Sequence, residues 1–334
     1  MKNILAICDL ETGYASALSD YLSLRKNTPF QVHAFTKAAS LLDFLQKQKP
    51  EVMLISGEVL YEIRKYADEL SETEIFVLSE DGQLSQYQGH KTIYKYQSTE
   101  NILREVMNYY AEAPKAYPGR ANLTGPDFIG IYSPVKRTLK TSFALTLGQI
   151  LTQKRKTLYI NLEEYAGFNN LLKISYMTDM SDLMYYISQN KPNFIWKLAS
   201  IVQNIGGLDY IPPALSPLDI KNISAAQWLN FFSELGKCEY ELVILDLGES
   251  VQGIFDILRS CSRIYTPVRD DGFSLAKLEQ YEALLRVMEY EDILEKTRKL
   301  SFSYFKGLDK GLDHLLYSEL GNYARKILEM DGFI

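Results

Sequence analysis

The chain has few residues of the types that build disulfide frameworks and metal centres. Its 334 residues include three cysteines and three histidines. Cys8, Cys238 and Cys261 are scattered without a C-x-x-C spacing, so we expect reduced thiols, as in cytosolic proteins. The histidines lie far apart and show no metal-ligand spacing, so we expect none of them to hold a metal.

Long apolar runs and an excess of positive charge are also missing. No stretch approaches the roughly 18–20 apolar residues of a membrane-spanning helix. The apolar run in MKNILAICDLE is too short for a signal peptide. The formal net charge is −6, which argues against general affinity for nucleic acid. We therefore expect a cytoplasmic protein with no nucleic acid partner and at most peripheral membrane contact.

Short apolar runs alternate with helical patterns over residues 1–112. The predicted strands are Ile4–Cys8, Gln31–Phe35, Val52–Ser56, Ile75–Ser79 and Thr92–Tyr94. Strands that alternate with helices at this spacing indicate a parallel sheet covered on both faces. Five such units predict a doubly wound α/β domain and resemble a response-regulator receiver domain, which is flavodoxin-like.

Residues 113–127 contain three prolines and two glycines, a density that predicts an interdomain linker. The alternating pattern then resumes over residues 128–334, which predicts a second doubly wound parallel-sheet domain. Its predicted strands include Thr157–Leu162, Leu242–Asp246 and Leu300–Phe305. The amphipathic run Asn322–Ile334 carries one Arg-Lys pair offset by two acids, so we expect it to pack on this domain, with membrane contact as the alternative.

The second domain opens with a phosphate-loop pattern. An apolar run at Phe128–Tyr132 is followed by a tight loop that ends at Lys140-Thr141, where a helical pattern begins. P-loop proteins place a glycine-rich phosphate cradle here, with the consensus G-x-x-x-x-G-K-[ST]. In this chain Leu139 replaces the glycine before the lysine, and Lys136-Arg137 replaces the Gly-Gly pair of the deviant pattern K-G-G-x-G-K-[ST]. Glycine is needed where phosphate approaches bare backbone or where φ is positive, so the sequence predicts a P-loop with damaged chemistry.

The first domain resembles a response-regulator receiver domain. The resemblance implies that Asp9 and Glu11 correspond to the acidic pair that holds Mg²⁺, and that Ser79 and Lys95 occupy the usual hydroxyl and lysine positions. The phosphorylated aspartate of a receiver corresponds to Ser56, and serine cannot form an aspartyl phosphate. The resemblance therefore implies a pseudo-receiver used for contacts, the alternative being a generic α/β domain with acids at its strand ends.

The second domain resembles the MinD/ParA superfamily of deviant-Walker ATPases, with a P-loop NTPase-like fold. The whole chain resembles TadZ/CpaE-like proteins of Tad/Flp pilus assembly, on the sequences I-Y-S-P at the loop and N-L-E after the next strand. The superfamily's signature lysine corresponds to Val135. The resemblance assigns Mg²⁺ to Thr141 and Asp246 if nucleotide binds, water positioning to Glu163 if the domain is active, and the nucleotide phosphates to Lys136, Arg137, Thr138, Leu139, Lys140 and Thr141.

The resemblance implies a homodimer that marks a cell pole and recruits pilus or secretion assembly proteins. Loss of several cradle hydrogen bonds, each worth about 1.5–3 kcal/mol when charge-assisted, removes most of the affinity for nucleotide. We therefore expect no resident cofactor, no turnover of ATP and a scaffold that acts through its surfaces. The alternatives are weak binding of nucleotide or another anion by the basic loop, and a working ATPase whose nucleotide state switches dimerisation. DNA partitioning is a third, disfavoured by the acidic charge.

Overall fold

The computed structural model describes residues 3–24, 29–64, 70, 73–80, 87, 89–112, 125–302 and 311–334. The chain divides into two compact units, Met1–Ala113 and Pro114–Ile334. Most of the predicted linker, residues 113–124, lies outside the described residues. Asp127, which the sequence pattern assigned to the linker, is instead the first residue of a strand.

The first unit contains one parallel sheet with the strand order β2-β1-β3-β4-β5, which is the flavodoxin-like order. Its strands are β1 Asn3–Cys8, β2 Phe30–Phe35, β3 Val52–Ser56, β4 Glu74–Ser79 and β5 Lys91–Tyr94. Its described helices are α1 Thr12–Leu24, α2 Ala38–Leu45, α3 Gly57–Ile63 and α4 Thr99–Glu112. All five residues of β3 are buried, because helices cover both faces of the sheet.

The second unit contains a seven-stranded sheet with the order β12-β11-β6-β10-β7-β9-β8. Its strands are β6 Asp127–Ile131, β7 Thr157–Leu162, β8 Gln203–Ile205, β9 Leu208–Ile211, β10 Leu242–Leu247, β11 Arg263–Val268 and β12 Thr297–Ser301. Every neighbouring pair is parallel except β8 with β9. The predicted fold class, two doubly wound parallel sheets, is confirmed.

Helices cover both faces of the second sheet. They are α5 Lys140–Leu151, α6 Phe168–Leu172, α7 Met180–Ser188, α8 Phe194–Ile201, α9 Pro217–Lys221, α10 Ala225–Leu235, α11 Ile254–Ser260, α12 Gly272–Val287, α13 Glu291–Lys296 and α14 Glu319–Met330, with a 3₁₀ helix at Leu312–Tyr317. The helix α5 packs closely on the sheet: a Cβ at Gly148 would lie 2.5 Å from Leu208 Cδ2. None of the helices in the described ranges has the length and apolar character needed to cross a bilayer.

Two local predictions for the second unit need correction. The strand predicted at Leu300–Phe305 lies at Thr297–Ser301, because this edge strand is half-exposed and its polar first residues hide it from an apolar-run search; residues 303–305 lie outside the described residues. The strand β8 was not predicted from the sequence. The Gly206-Gly207 pair is a sequence signal for a hairpin at this point. In the structure both glycines have positive φ and form the two-residue turn between β8 and β9.

Candidate functional site

The loop between β6 and α5 keeps a left-handed backbone at two positions that carry side chains. Arg137 has φ 59°, and Leu139 has φ 56° and ψ 25°. This conformation costs a residue with a Cβ roughly 1–2 kcal/mol, which is why glycine usually occupies it. Both residues stand where the deviant P-loop pattern has glycine. The backbone therefore retains a shape that glycine would favour, although the glycines are gone.

Hydrogen bonds within the loop and to a neighbouring strand hold this shape. Ser133 Oγ donates to the carbonyl of Pro267 at 2.6 Å and accepts from the amide of Val135 at 3.1 Å. Thr138 Oγ1 donates to the carbonyl of Val135 at 3.3 Å. The side chain of Leu139 packs against the apolar core on the α5 side of the sheet. These contacts supply the ordering that offsets the left-handed strain.

The ammonium of Lys140, the P-loop lysine, is already paired within the chain. It forms an ion pair with the carboxylate of Glu163 and donates a hydrogen bond to the carbonyl of Leu247. It also lies 3.9 Å from Asp246 Oδ1. The Lys140 side chain is 13% exposed and that of Glu163 is 23% exposed, so the pair is largely shielded from water. Burial raises the pKa of Glu163, and the charge of Lys140 opposes that rise.

Asp246 is fully buried in a polar cluster at the end of β10. Its Oδ2 accepts hydrogen bonds from Tyr159 Oη at 2.9 Å and from Asn161 Nδ2 at 3.2 Å. Burial raises the pKa of Asp246, opposed by the charge of Lys140 and by hydrogen bonds from Thr141 and Tyr159. Thr141 and Asp246, the predicted Mg²⁺ ligands, are thus neighbours. Two of the partners of Asp246, Tyr159 and Asn161, were missed from the sequence.

A cavity of about 280 Å³ lies over the loop. Its charged lining consists of three basic side chains and three acidic ones: Lys136, Arg137, Lys140, Glu163, Glu164 and Glu249. Lys136 Nζ lies 3.6 Å from Glu249 Oε2. Glu164 accepts hydrogen bonds from the amide and the hydroxyl of Ser250, at 3.1 and 2.9 Å. The loop that appears basic in sequence is therefore balanced to a formal charge of zero by acids from two other strand ends.

This arrangement lacks three features that hold a magnesium nucleotide. The bare glycine backbone is replaced at Lys136, Arg137 and Leu139. The lysine that would meet phosphate is engaged by Glu163. The cavity has no net positive charge to attract a polyanion. The predicted ligand residues are brought together, but they fit a triphosphate with its metal poorly.

In the first unit, Lys95 forms ion pairs with the acidic residues of the receiver-like site. Its ammonium lies 3.0 Å from Asp9 Oδ2, 3.4 Å from Glu11 Oε2 and 3.4 Å from Glu80 Oε1. The side chains of Lys95 and Asp9 are both 2% exposed. Burial lowers the pKa of Lys95, but the hydrogen bonds and charges of Asp9 and Glu11 outweigh it and raise the pKa overall. Glu80 was missed from the sequence.

The two remaining receiver-site predictions, Ser56 and Ser79, are buried at the carboxyl ends of β3 and β4. The backbone amide of Lys95 donates to the carbonyl of Ser79 at 2.8 Å, which fixes where the lysine enters the site. Within the described residues, no group of three or more His, Cys, Asp or Glu side chains is arranged to hold a metal ion. The Lys95 ammonium is the positive charge that these acidic side chains contact.

Comparison with known proteins gives one family match. Residues 1–111 match the family model described as TadZ-like, receiver domain. This match confirms the resemblance to TadZ/CpaE-like proteins over the first unit. We found no matching sequence among curated proteins.

Solved structures that resemble part of this chain are distant. A plasmid partition protein of Borrelia burgdorferi bound to AMPPNP is 16% identical with a TM-score of 0.47, over 61% of this chain and 97% of that chain. A cobyrinic acid a,c-diamide synthase of Mycobacterium smegmatis with an ATP analogue and magnesium is 12% identical with a TM-score of 0.41, over 57% and 80%. An ATP complex of an McdA variant of Cyanothece is 14% identical with a TM-score of 0.41, over 58% and 78%. With TM-scores below 0.5, these likenesses carry no information on activity or ligand.

Proposed function

We propose, from the match of residues 1–111 to the TadZ-like receiver domain, that the chain is a localisation and scaffold protein. It marks a cell pole as a homodimer and recruits pilus or secretion assembly proteins there. Neither unit performs group transfer in this proposal. The receiver-like unit has Ser56 where a phosphate acceptor would be, and the second unit has a P-loop without glycines.

The observation that carries this proposal is the pairing of Lys140 with Glu163. A lysine that serves phosphate must offer its ammonium to the incoming anion, and here a carboxylate of the same chain has taken that place. The neutral balance of the cavity removes the long-range attraction that would otherwise bring a polyanion to the loop. Both features support a domain that acts by contacting other proteins and not by binding nucleotide.

Calorimetry of the full chain with MgATP, together with a phosphate-release assay, tests the proposal. We expect no saturable heat at millimolar nucleotide and no phosphate above the rate in buffer. Micromolar affinity that disappears in Lys140→Ala would overturn the proposal. In cells, a fluorescent fusion should concentrate at a pole equally in the parent and in Lys140→Ala. A diffuse Lys140→Ala fusion, with folding intact, would also count against it.

A second candidate is a working ATPase whose nucleotide state switches dimerisation. It is favoured by one observation: Lys140, Thr141, Glu163 and Asp246 all meet at the carboxyl edge of the sheet. This candidate requires MgATP to displace Glu163 from Lys140 and to dimerise the chain. Sedimentation with and without MgATP separates the two, because a scaffold of the proposed kind has the same oligomeric state in both conditions.

A further inference from the structure

We propose that the Glu163 carboxylate is a built-in anion of the loop, occupying the place on Lys140 that an oxyanion would otherwise take. This inference deepens the proposed function and rests on it, because it gives the reason why the P-loop lysine does not serve nucleotide. The resemblance assigns Glu163 a different role, the positioning of a water molecule in an active site. Here the carboxylate contacts the lysine itself.

The geometry around Glu163 holds it in that place. The amide of Glu163 donates to Asn161 Oδ1 at 3.0 Å, and Asn161 Nδ2 donates to Tyr159 Oη at 2.8 Å and to Asp246. The backbone at the end of β7 is thereby tied to the buried cluster on β10. A close approach of Gly248 reinforces this tie, since a Cβ there would lie 2.8 Å from the carbonyl of Leu162. The carboxylate is therefore presented by a fixed backbone.

The three acids of the cavity differ in what they contact, and this difference separates a specific role from a charge effect. Glu163 contacts Lys140. Glu164 is bound to the amide and hydroxyl of Ser250, and Glu249 is paired with Lys136 at the exposed rim. Neutralising any one of them changes the charge of the cavity by the same amount. Only the Glu163 change removes the carboxylate charge paired with Lys140, which keeps its hydrogen bond to the carbonyl of Leu247.

The ligand class that Lys140 then admits is a small oxyanion. The amides of a loop at a helix N-terminus and an ammonium no longer paired with Glu163 suit phosphate or pyrophosphate. The side chain of Leu139 is partly buried against the core on the α5 side and lines one wall of the cavity of about 280 Å³ over the loop. We use inorganic pyrophosphate as the probe because it lacks a base and sugar that could bind elsewhere.

The test is calorimetric titration of pyrophosphate, without added metal, into the full-length parent, Glu163→Gln and the matched control Glu164→Gln. We expect Glu163→Gln to bind at least about tenfold more tightly than the parent, and Glu164→Gln to remain within about twofold of it. Adding Lys140→Ala to Glu163→Gln should remove the gain. Circular dichroism and the thermal midpoint of each variant establish that it is folded.

Equal gains in Glu163→Gln and Glu164→Gln would show that charge alone matters and would overturn the inference, as would no gain in a folded Glu163→Gln. If the parent binds pyrophosphate as tightly as Glu163→Gln does, the inference also fails. The proposed function fails on a different result, turnover of MgATP by the parent. If the parent does not turn over MgATP and Glu163→Gln shows no gain in pyrophosphate affinity, the inference is therefore wrong and the proposed function is unaffected.

Discussion

Lys95 and Asp9 form a buried ion pair at the carboxyl edge of the first sheet, with 3.0 Å between Lys95 Nζ and Asp9 Oδ2 and both side chains 2% exposed. The ring of Tyr14 packs beneath the ammonium, 4.8 Å from Nζ to its centroid. This pair gives the receiver-like unit a cation of its own. The Asp9 carboxylate is thus neutralised by a side chain of the same unit.

Lys95→Met should destabilise the chain by about 3–5 kcal/mol, because it leaves the Asp9 carboxylate buried without its partner. The control is Lys91→Met at the start of β5, the strand that ends just before Lys95. Its pair with Glu74 is half-exposed and is expected to contribute at most about 1 kcal/mol. Urea unfolding followed by circular dichroism measures both. Equal losses in the two variants would contradict a special role for Lys95.

The same pair predicts a pH dependence. Burial lowers the pKa of Lys95, but Asp9 and Glu11 outweigh that effect and raise it above the value in the unfolded chain. The contribution of the ammonium is therefore fully present below the unfolded value of about 10.4 and is lost as the pH rises through the folded value. The stability difference between the parent and Lys95→Met should narrow as the pH rises above about 10.4. A stability difference that begins to narrow as the pH rises from 8 to 9 would contradict this assignment.

The fold class and most strand bounds could be predicted from the sequence, and the contacts of the candidate site could not. Lys140 and Asp246 were identified because each ends a local pattern, a tight loop or an apolar strand. Tyr159 and Asn161 were missed because they reach Asp246 only through the pairing of β7 with β10, where Asp246 lies opposite Asn161. The sequence likewise predicted a basic loop, because the acids that balance its charge, Glu163, Glu164 and Glu249, lie at other strand ends and far from the loop in sequence.

Arg137→Gly should stabilise the chain by about 0.5–1 kcal/mol. Glycine removes the strain of the left-handed conformation at this position, and that strain is larger than the extra conformational entropy that glycine loses on folding. Lys136→Gly is a matched control: it is the adjacent residue, exposed and of the same charge, but its φ is not positive. We expect the control to lose about 0.5–1 kcal/mol. Thermal unfolding measures both, and a loss in Arg137→Gly would refute the strained conformation of the loop.

Asp246→Asn should raise the thermal midpoint at pH 7. Burial raises the pKa of Asp246 above its unfolded value, although Lys140 opposes it, so the charged carboxylate weakens folding at pH 7 relative to a neutral amide of the same size. A raised folded pKa means that the folded chain binds the proton more tightly, so the parent gains on the variant as the pH falls from 7 toward 4. Besides burial, the charge of Asp246 also raises the pKa of Glu163, so losing that charge in the variant acts in the same direction. A gap that widens at lower pH would contradict the prediction.

The C-terminal helix α14 presents its apolar face to the second unit, as expected for a helix that packs on the domain. Leu320, Ala324 and Leu328 are fully buried, and the helix contacts α5. Just beyond the helix, Asp331 accepts hydrogen bonds from Tyr265 Oη at 2.7 Å and from Arg298 at 2.5 Å. The apolar stripe is therefore occupied by the core and is not presented to a lipid surface.

Leu328→Ala should accordingly cost about 2–5 kcal/mol of stability, because it leaves a cavity between α14 and α5. The control Met330→Ala alters a side chain that is 68% exposed on the same helix and should change stability by less than about 0.5 kcal/mol. Co-sedimentation with anionic vesicles adds a readout for the alternative role of this segment. If α14 contacted the membrane, Met330→Ala would reduce the amount of protein that sediments with the vesicles, and Leu328→Ala would leave stability unchanged. Because Leu328 packs in the core, we instead expect Leu328→Ala to lose stability and the parent protein to stay out of the vesicle pellet.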